Sequence, residues 1–271
     1  MAMSEATRRT ALVLADEAAH EAGDLLLERF GRLAEGDVRS KSAARDLVTA
    51  ADVASERHLV QRLREAFPDH AIEAEEETLD ARDEDDQTPR WFLDPLDGTV
   101  NFVHGLPMFA VSMGLFVGGR PELAVVHLPR MGETFTALAG DGARLNGEPI
   151  AVSDCAALGD AILATGFPYR RNELEHNNLA NFNSFFLDVR GVRRMGSAAI
   201  DLAYVAAGRL DGYWELHLSP HDVAAGALLV REAGGRVTDA DGGDAWLREG
   251  HIVAAGPGLH EAIRERVVHR S

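Results

Sequence analysis

Leu12, Ala15, Ala19, Ala22, Leu26 and Phe30 recur at helical spacing with charged residues between them, which predicts an amphipathic helix from Ser4 to about Phe30, ended by Gly31. A second stripe, Val53, Leu59, Leu63 and Phe67, predicts a helix over 53–67 with Asp52 as its N-cap and Pro68 past its end. Short apolar runs at 71–74 and 91–94 predict strands. Runs at 109–117, 122–128 and 133–139, separated or followed by glycine-rich turns, predict an antiparallel meander. From near Ser153 the pattern changes. Strands are predicted at 161–165, 210–215 and 252–254, and helices at 174–186, 198–207, 220–233 and 259–268. The switch from meander to alternation predicts one mixed α/β domain of two lobes, roughly 1–152 and 153–271.

Length and composition agree with an ordinary globular chain: 271 residues, 46% of them apolar. A single cysteine, Cys155, excludes an intrachain disulfide, a cysteine-rich zinc site and an iron–sulfur cluster. The first thirty residues interleave charges with apolar positions, and no run reaches the roughly 18 apolar residues that a membrane span needs. A cytoplasmic protein without a membrane partner is expected. Forty-four acidic residues against 27 basic ones give a formal charge of -17, which repels nucleic acid and anionic lipid at long range. Phosphorylated small molecules are repelled too, so a phosphate site here would need bound cations to reverse the local field. Twenty-six of the 27 basic residues are arginine, and Lys41 is the sole lysine.

The densest chemistry lies in Trp91-Phe92-Leu93-Asp94-Pro95-Leu96-Asp97-Gly98-Thr99. Three apolar residues deliver Asp94 at a strand end, and Pro95 keeps it extended. Asp97 follows three residues on, then Gly98 for a tight turn and Thr99 to open a short helix. Two carboxylates beside the N–H groups of a helix start would cradle a phosphate with hard cations next to it. Taken alone, such a segment is also what a strand, an acidic turn and a cap require. Asp-Gly-Thr occurs in the Asp-x-Asp-Gly-Thr motif of haloacid dehalogenase phosphatases as well, but Pro95 stands where their nucleophilic aspartate would be. Other acids have plain structural readings: Asp222 as a capping-box acid after Ser219-Pro220, and Glu75 as one of nine acids between 73 and 86. His217 and His221 stand four apart, yet Pro220 separates them and no third nitrogen ligand is suggested, so zinc is not expected.

The whole set of motifs resembles the inositol monophosphatase family over nearly the full chain. Lys41, Asp46-Leu47-Val48-Thr49-Ala50-Ala51-Asp52, Ile72-Glu73-Ala74-Glu75-Glu76, the Asp94–Thr99 segment, Gly196-Ser197-Ala198-Ala199, Asp211–Glu215 and His221-Asp222 through Gly235 occur in the family's order. The resemblance implies a layered α-β-α-β-α sandwich of the inositol monophosphatase and fructose bisphosphatase type, a Mg2+-dependent and lithium-sensitive phosphomonoesterase, and a homodimer. It also implies two or three Mg2+ ions held by Glu75, Asp94, Asp97, Asp222 and the backbone carbonyl of Leu96, with Glu73 or Glu76 as alternatives to Glu75. Asp52 and Thr99 would orient the attacking water, with Glu75 as a possible base. Asp97, Gly98, Thr99, Ala198 and Glu215 would meet the substrate, and Lys41 would lie near the metal-bound waters. The family's usual tryptophan is replaced by His221, which changes a pocket wall.

Inositol monophosphate or a related small sugar or polyol phosphate is the leading substrate. Fructose bisphosphate and histidinol phosphate are alternatives on the same fold. Some bacterial relatives act inside transcription complexes, so a non-catalytic partner is the reading from another class, and the net charge of -17 argues against it.

Overall fold

The alanines that give the first helix its stripe are small, and their size sets how closely the first layer packs. In the computed structural model, which describes residues 3–34, 36–41, 46–80 and 87–269, helix α1 (Glu5–Arg29) is capped by Ser4, whose hydroxyl accepts the Thr7 N–H at 3.1 Å. Ala11, Ala15, Ala18, Ala19, Ala22 and Leu26 are fully buried. An antiparallel ribbon, β1 (Val38–Ser40) and β2 (Leu47–Thr49), leads into α2 (Ala50–Ala66). This second helix begins three residues before its large apolar stripe. Thr49, not Asp52, is the N-cap: the Thr49 hydroxyl accepts the Ala51 N–H at 3.0 Å, and Asp52 accepts the Thr49 N–H at 2.8 Å. Thr49 and Asp52 thus form a capping box, hidden in the sequence because Ala50 and Ala51 precede the first large apolar residue.

A seven-stranded sheet follows, built from β3 (Ala71–Ala74), β4 (Arg90–Asp97), β5 (Ala110–Val117), β6 (Arg120–Leu128), β7 (Glu133–Leu138), β8 (Gly142–Leu145) and β9 (Glu148–Pro149), in that order. β3 and β4 are parallel and all later neighbours antiparallel, as the meander predicts. The short helix α3 (Thr99–Val103) sits between β4 and β5. The rest of the chain supplies β10 (Ile162–Thr165), α4 (Leu179–Phe186), β11 (Gly191–Arg193), α5 (Ala198–Ala206), β12 (Gly212–Glu215), α6 (Pro220–Glu232), β13 (Arg236–Thr238), α7 (Trp246–Glu249), β14 (Ile252–Ala255) and α8 (His260–Arg264). Its five strands order as β11-β10-β12-β14-β13.

Two expectations shorten. The helix predicted over 174–186 starts only at Leu179, because Asn178 has φ 73 and cannot continue a right-handed helix. The closing helix is confined to His260–Arg264. Strands β8, β9, β11 and β13 have two to four residues each, too few for a hydrophobic period to register.

The layers run α, β, α, β, α. Helices α1 and α2 cover one face of the large sheet with Leu59, Leu63, Trp91, Leu93 and Phe109 between them. Helices α5 and α6 fill the space between the two sheets, burying Ile200, Leu202, Val223 and Leu229. α4 and α8 close the outer face of the smaller sheet around Phe185, Trp214 and Ile263. Eight of the nine residues of α5 and the whole Val223–Val230 stretch of α6 are buried because each helix meets a sheet on two sides. No described helix is long and apolar enough to cross a membrane.

Candidate active site

β4 carries Asp94 and Asp97 to the edge of the middle layer, both buried. Asp94 accepts the Leu96 N–H at 3.0 Å across the bend at Pro95. Gly98 then takes φ 96, with the Met108 carbonyl 2.8 Å from where a Cβ would stand, so both conformation and space demand glycine. The turn places Thr99 at the start of α3. Its hydroxyl donates to Asp52 Oδ1 at 3.0 Å and to the Leu96 carbonyl at 3.1 Å. Asp52 is fully buried behind Thr99, and its other oxygen accepts from the Thr49 hydroxyl at 2.6 Å.

From the second half of the chain, Ser197 caps α5 and donates its hydroxyl to Asp97 Oδ2 at 2.7 Å, joined by the Ala199 N–H at 2.7 Å. Asp222 opens α6 and accepts the Ser219 N–H at 2.6 Å, the capping role its spacing predicts. Glu75, just past β3, is held by Lys41 at 2.8 Å, and Lys41 also grips Glu76 at 2.5 Å. Glu56 in α2 fixes this bend by accepting the Glu76 and Glu77 N–H groups at 2.7 and 2.9 Å. Among the three acids left open by the sequence, Glu75 lines the cavity, Glu76 turns to Lys41, and Glu73 is buried within β3.

These groups line one cavity of about 440 Å³, with Lys41, Glu75, Asp94, Leu96, Asp97, Gly98, Thr99, Ala198, Glu215 and Asp222 all on its wall. Of the residues singled out from the sequence, Asp52 stands one side chain behind this wall, and the alternatives Glu73 and Glu76 are not on it. A larger cavity of about 1040 Å³ lies beside α6 and α7, but one of its arginines, Arg231, is committed to Asp244 at 2.5 Å, and it carries no comparable group of acids.

Six acidic side chains line the smaller cavity against Lys41, Arg170 and Arg194, and the crowding appears in their proton affinities. Burial, then the charges of Glu75, Asp97 and Asp222, raise Asp94 well above the usual carboxylate range. Asp97 is pushed up to about 8 by burial and by Asp222, although Ser197 and Ala199 pull the other way. Asp222 is raised by burial and by Glu75, with His221 opposing. Burial also raises Asp52, against its bonds from Thr49 and Thr99. Burial alone would lower Lys41, but Glu75 and Glu76 outweigh it and raise it.

Such a wall asks for a cation. Among the described residues no three of these donors already meet at one point. Mg2+ keeps several waters and is held by one or two carboxylates with the remaining positions left to water and substrate phosphate. The all-oxygen donor set and the ammonium already seated on Glu75 both fit a hard cation.

Sequence reasoning missed several parts of the site. Glu215 lies on the face of Gly166, where an added Cβ would fall 2.0 Å from its Oε2, so only glycine leaves room for it. The Tyr213 hydroxyl donates to Glu215 at 2.6 Å, and burial raises Glu215 to about 7 despite Tyr213 and Arg194. Phe167, Pro168, Tyr169 and Arg170 form a wall on the segment expected to lead into a longer helix. The Thr49–Asp52 capping box was masked by the two alanines that follow Thr49. Gly166 gave no signal, because its partner is 49 residues away.

The profile of the inositol monophosphatase family matches residues 8–271. The chain belongs to the inositol monophosphatase family. Among curated relatives it is 46% identical to the Nus factor SuhB of Pseudomonas aeruginosa over 254 residues, covering 93% of each chain. It is 43% identical to the Nus factor SuhB of Escherichia coli over 253 residues, again covering 93% of each. Among solved structures, the inositol monophosphatase from Anabaena (Nostoc) superposes with a TM-score of 0.85 at 41% identity over 95% of both chains. An inositol monophosphatase of Thermotoga maritima gives 0.86 at 35% identity, over 95% of this chain and 96% of that one. The α/β layered fold is therefore that of the family.

Proposed function

We propose that this member is a Mg2+-dependent phosphomonoesterase, acting as a cytoplasmic homodimer on inositol monophosphate or a related small polyol phosphate. The observation that carries this reading is the meeting of Glu75, Asp94, Asp97 and Asp222 with the Thr99–Asp52 pair on one cavity. Glu75, Asp94, Asp97, Asp222 and the Leu96 carbonyl would hold two or three Mg2+ ions. Bound there, Mg2+ supplies positive charge to the phosphoryl oxygens and acidifies water.

The chain's own residues do the rest. The Thr99 hydroxyl proton is committed to Asp52 and Leu96, so Thr99 presents lone pairs to the cavity. It accepts a hydrogen bond from the attacking water and fixes that water's direction. Asp52, with a proton affinity already raised by burial, receives a proton passed through Thr99, and Glu75 is the alternative base. The N–H groups at the Gly98–Thr99 turn face the substrate phosphate. Glu215 accepts hydrogen bonds from substrate hydroxyls. Pro95, where a phosphorylated aspartate would have to stand, leaves direct attack by water without a covalent enzyme intermediate.

Phosphate release from inositol monophosphate, fructose bisphosphate, histidinol phosphate and an aryl phosphate, with and without Mg2+ and Li+, tests the reading. Release that needs Mg2+, falls with Li+ and is fastest on the inositol ester is expected. A preference for fructose bisphosphate or histidinol phosphate would move the substrate to those alternatives. Release unaffected by chelation would remove the metal assignment.

The Nus factor names of the Pseudomonas and Escherichia relatives favour a second reading, a non-catalytic partner in a transcription complex. The net charge of -17 opposes a surface that binds RNA. A folded chain that releases no phosphate from any ester, yet binds transcription machinery, would select this reading.

A further inference from the structure

The larger cavity, about 1040 Å³, has no part in the proposed reaction, and its wall carries the opposite charge from that of the candidate active site. Arg90, Arg120, Arg231 and Arg248 line it, against two acids, Glu232 and Asp244. Both acids are already engaged. Glu232 accepts the Gly140 and Gly142 N–H groups at 2.9 and 3.0 Å, and Asp244 pairs with Arg231. A chain of net charge -17 does not gather arginines into one recess by composition alone.

Several donors on this wall remain open. Arg231 uses Nη2 alone, for Asp244 at 2.5 Å and the Val237 carbonyl at 3.1 Å, so among the described residues its Nε–H and Nη1 hydrogens have no partner. Arg120 is exposed at the start of β6, and its side chain has no partner among the described residues. Trp246 is 2% exposed, and its Nε1–H is buried without a hydrogen-bond partner. An acceptor that seats against the indole would relieve this orphaned donor. Arg90 and Arg248 have contacts of their own, so anion binding falls to the other three.

The floor is apolar. Phe92, Phe116 and Trp246 form a chain of rings with centroids 5.2 and 6.4 Å apart, and the Arg231 guanidinium carbon lies 5.3 Å from the Trp246 centroid. That cation–π contact and the Asp244 pair hold the guanidinium in place before any ligand arrives, which lowers the ordering cost of binding. An apolar recess with a few placed polar groups is how proteins hold small ligands, and a guanidinium fork matches a phosphate or carboxylate.

We propose that this cavity binds a small organic anion, a phosphate or carboxylate head on an apolar or aromatic body, with the head on Arg120 and Arg231 and the body over the floor. The site is separate from the candidate active site but built on the same elements. Phe92 lines it two residues before Asp94 on β4, and Pro220 lines it two residues before Asp222 on α6. Binding here needs no phosphatase activity.

The experiment titrates 8-anilinonaphthalene-1-sulfonate, an aromatic anion that fluoresces when bound, into the full-length protein in chelator, where the acidic cavity repels it. Emission should saturate at one equivalent, and the uncharged analogue N-phenyl-1-naphthylamine should bind at least about tenfold more weakly. Arg120→Gln and Arg231→Gln should each weaken the sulfonate by about tenfold, Arg120→Glu by more, and Asp94→Asn should bind it as the wild type does. Phenyl phosphate and benzoate should displace it, and the one that acts at the lower concentration identifies the preferred head. Equal affinity in the wild type and both glutamine variants overturns the proposal. So does equal affinity for the uncharged dye, loss of binding in Asp94→Asn, or displacement by neither competitor. Unfolding midpoints establish that each variant is folded. If Arg231→Gln is not, the two changes at exposed Arg120 decide.

Discussion

Two turns of this chain both combine aspartate with glycine and do different work. Asp94-Pro95-Leu96-Asp97-Gly98-Thr99 ends β4, and Asp239-Ala240-Asp241-Gly242-Gly243-Asp244 follows β13. In the second turn, buried Asp239 accepts the Gly243 N–H at 2.7 Å and the Ala245 N–H at 2.9 Å, one on each oxygen. Asp97 also takes two donors, from Ser197 and Ala199, yet its pKa is pushed up to about 8. Hydrogen-bond count does not separate the two turns. Company does: Asp97 shares its cavity with Asp94, Asp222 and Glu75, whereas Asp239 spends its charge on the loop it closes. An acid that holds a turn is satisfied by that turn. A group of acids left short of cations is arranged for something that comes from outside.

The strongest test of this contrast exchanges one acid in each turn. Asp94→Asn should lower phosphatase turnover by about 10³-fold, the scale of losing one electrostatic support of the transition state. Its unfolding midpoint in chelator should hold or rise, because a like charge has gone. Asp239→Asn should do the reverse, costing about 1–3 kcal/mol of stability, as expected for under-satisfying buried N–H groups, with turnover unchanged in the folded fraction. Matching effects in the two variants would erase the distinction between the turns.

Thr99→Ala should lower kcat by about 10²-fold, the lower end of acid–base effects, and leave KM nearly constant. Water positioning matters in the transition state more than in ground-state binding. A change confined to KM would make Thr99 a binding residue.

Glu215→Gln should cost about tenfold on inositol monophosphate, one hydrogen bond's worth, and little on an aryl phosphate without hydroxyls. Equal losses on the two esters would give Glu215 a structural role with Tyr213 and Gly166.

The smallest expected effect is a slope. In chelator, Asp97 at about 8 and Glu215 at about 7 keep protons in the folded state that the unfolded chain releases near its ordinary carboxylate pKa. The folded state binds more protons over this window, so this contribution to stability falls as pH rises from about 4 to 8. Urea midpoints of the metal-free protein should fall accordingly, Mg2+ should offset the fall, and Asp97→Asn should flatten it. A midpoint that rises over the same range with this cluster intact would contradict the crowding argument.

Long amphipathic stripes were legible from the chain because their period repeats over several turns: α1, α6 and the β5–β7 meander lie within a few residues of expectation. The acids of the site were legible as well, because Asp94, Asp97 and Thr99 lie within six residues and Asp222 follows a visible capping pattern. Elsewhere local signals misled. The apolar stripe placed the start of α2 at Val53, while a capping box put it at Ala50. Asn178 stopped a helix that composition alone continued.

Sequence by itself determined the acidic surplus, the sole lysine and the mixed α/β pattern, since these follow from composition, period and short-range spacing, while the layered class and the candidate site residues were legible through the resemblance of its ordered motifs to the family. Only tertiary structure decided that Glu75 rather than Glu73 or Glu76 faces the cavity, and that Lys41 closes on it. The same holds for the space Gly166 leaves for Glu215, and for Arg120, Arg231 and Trp246 meeting on one cavity wall. The reason is physical. A spacing of three or four residues fixes neighbours through backbone geometry, whereas contacts across tens of residues depend on how whole layers pack, and no local pattern encodes that distance.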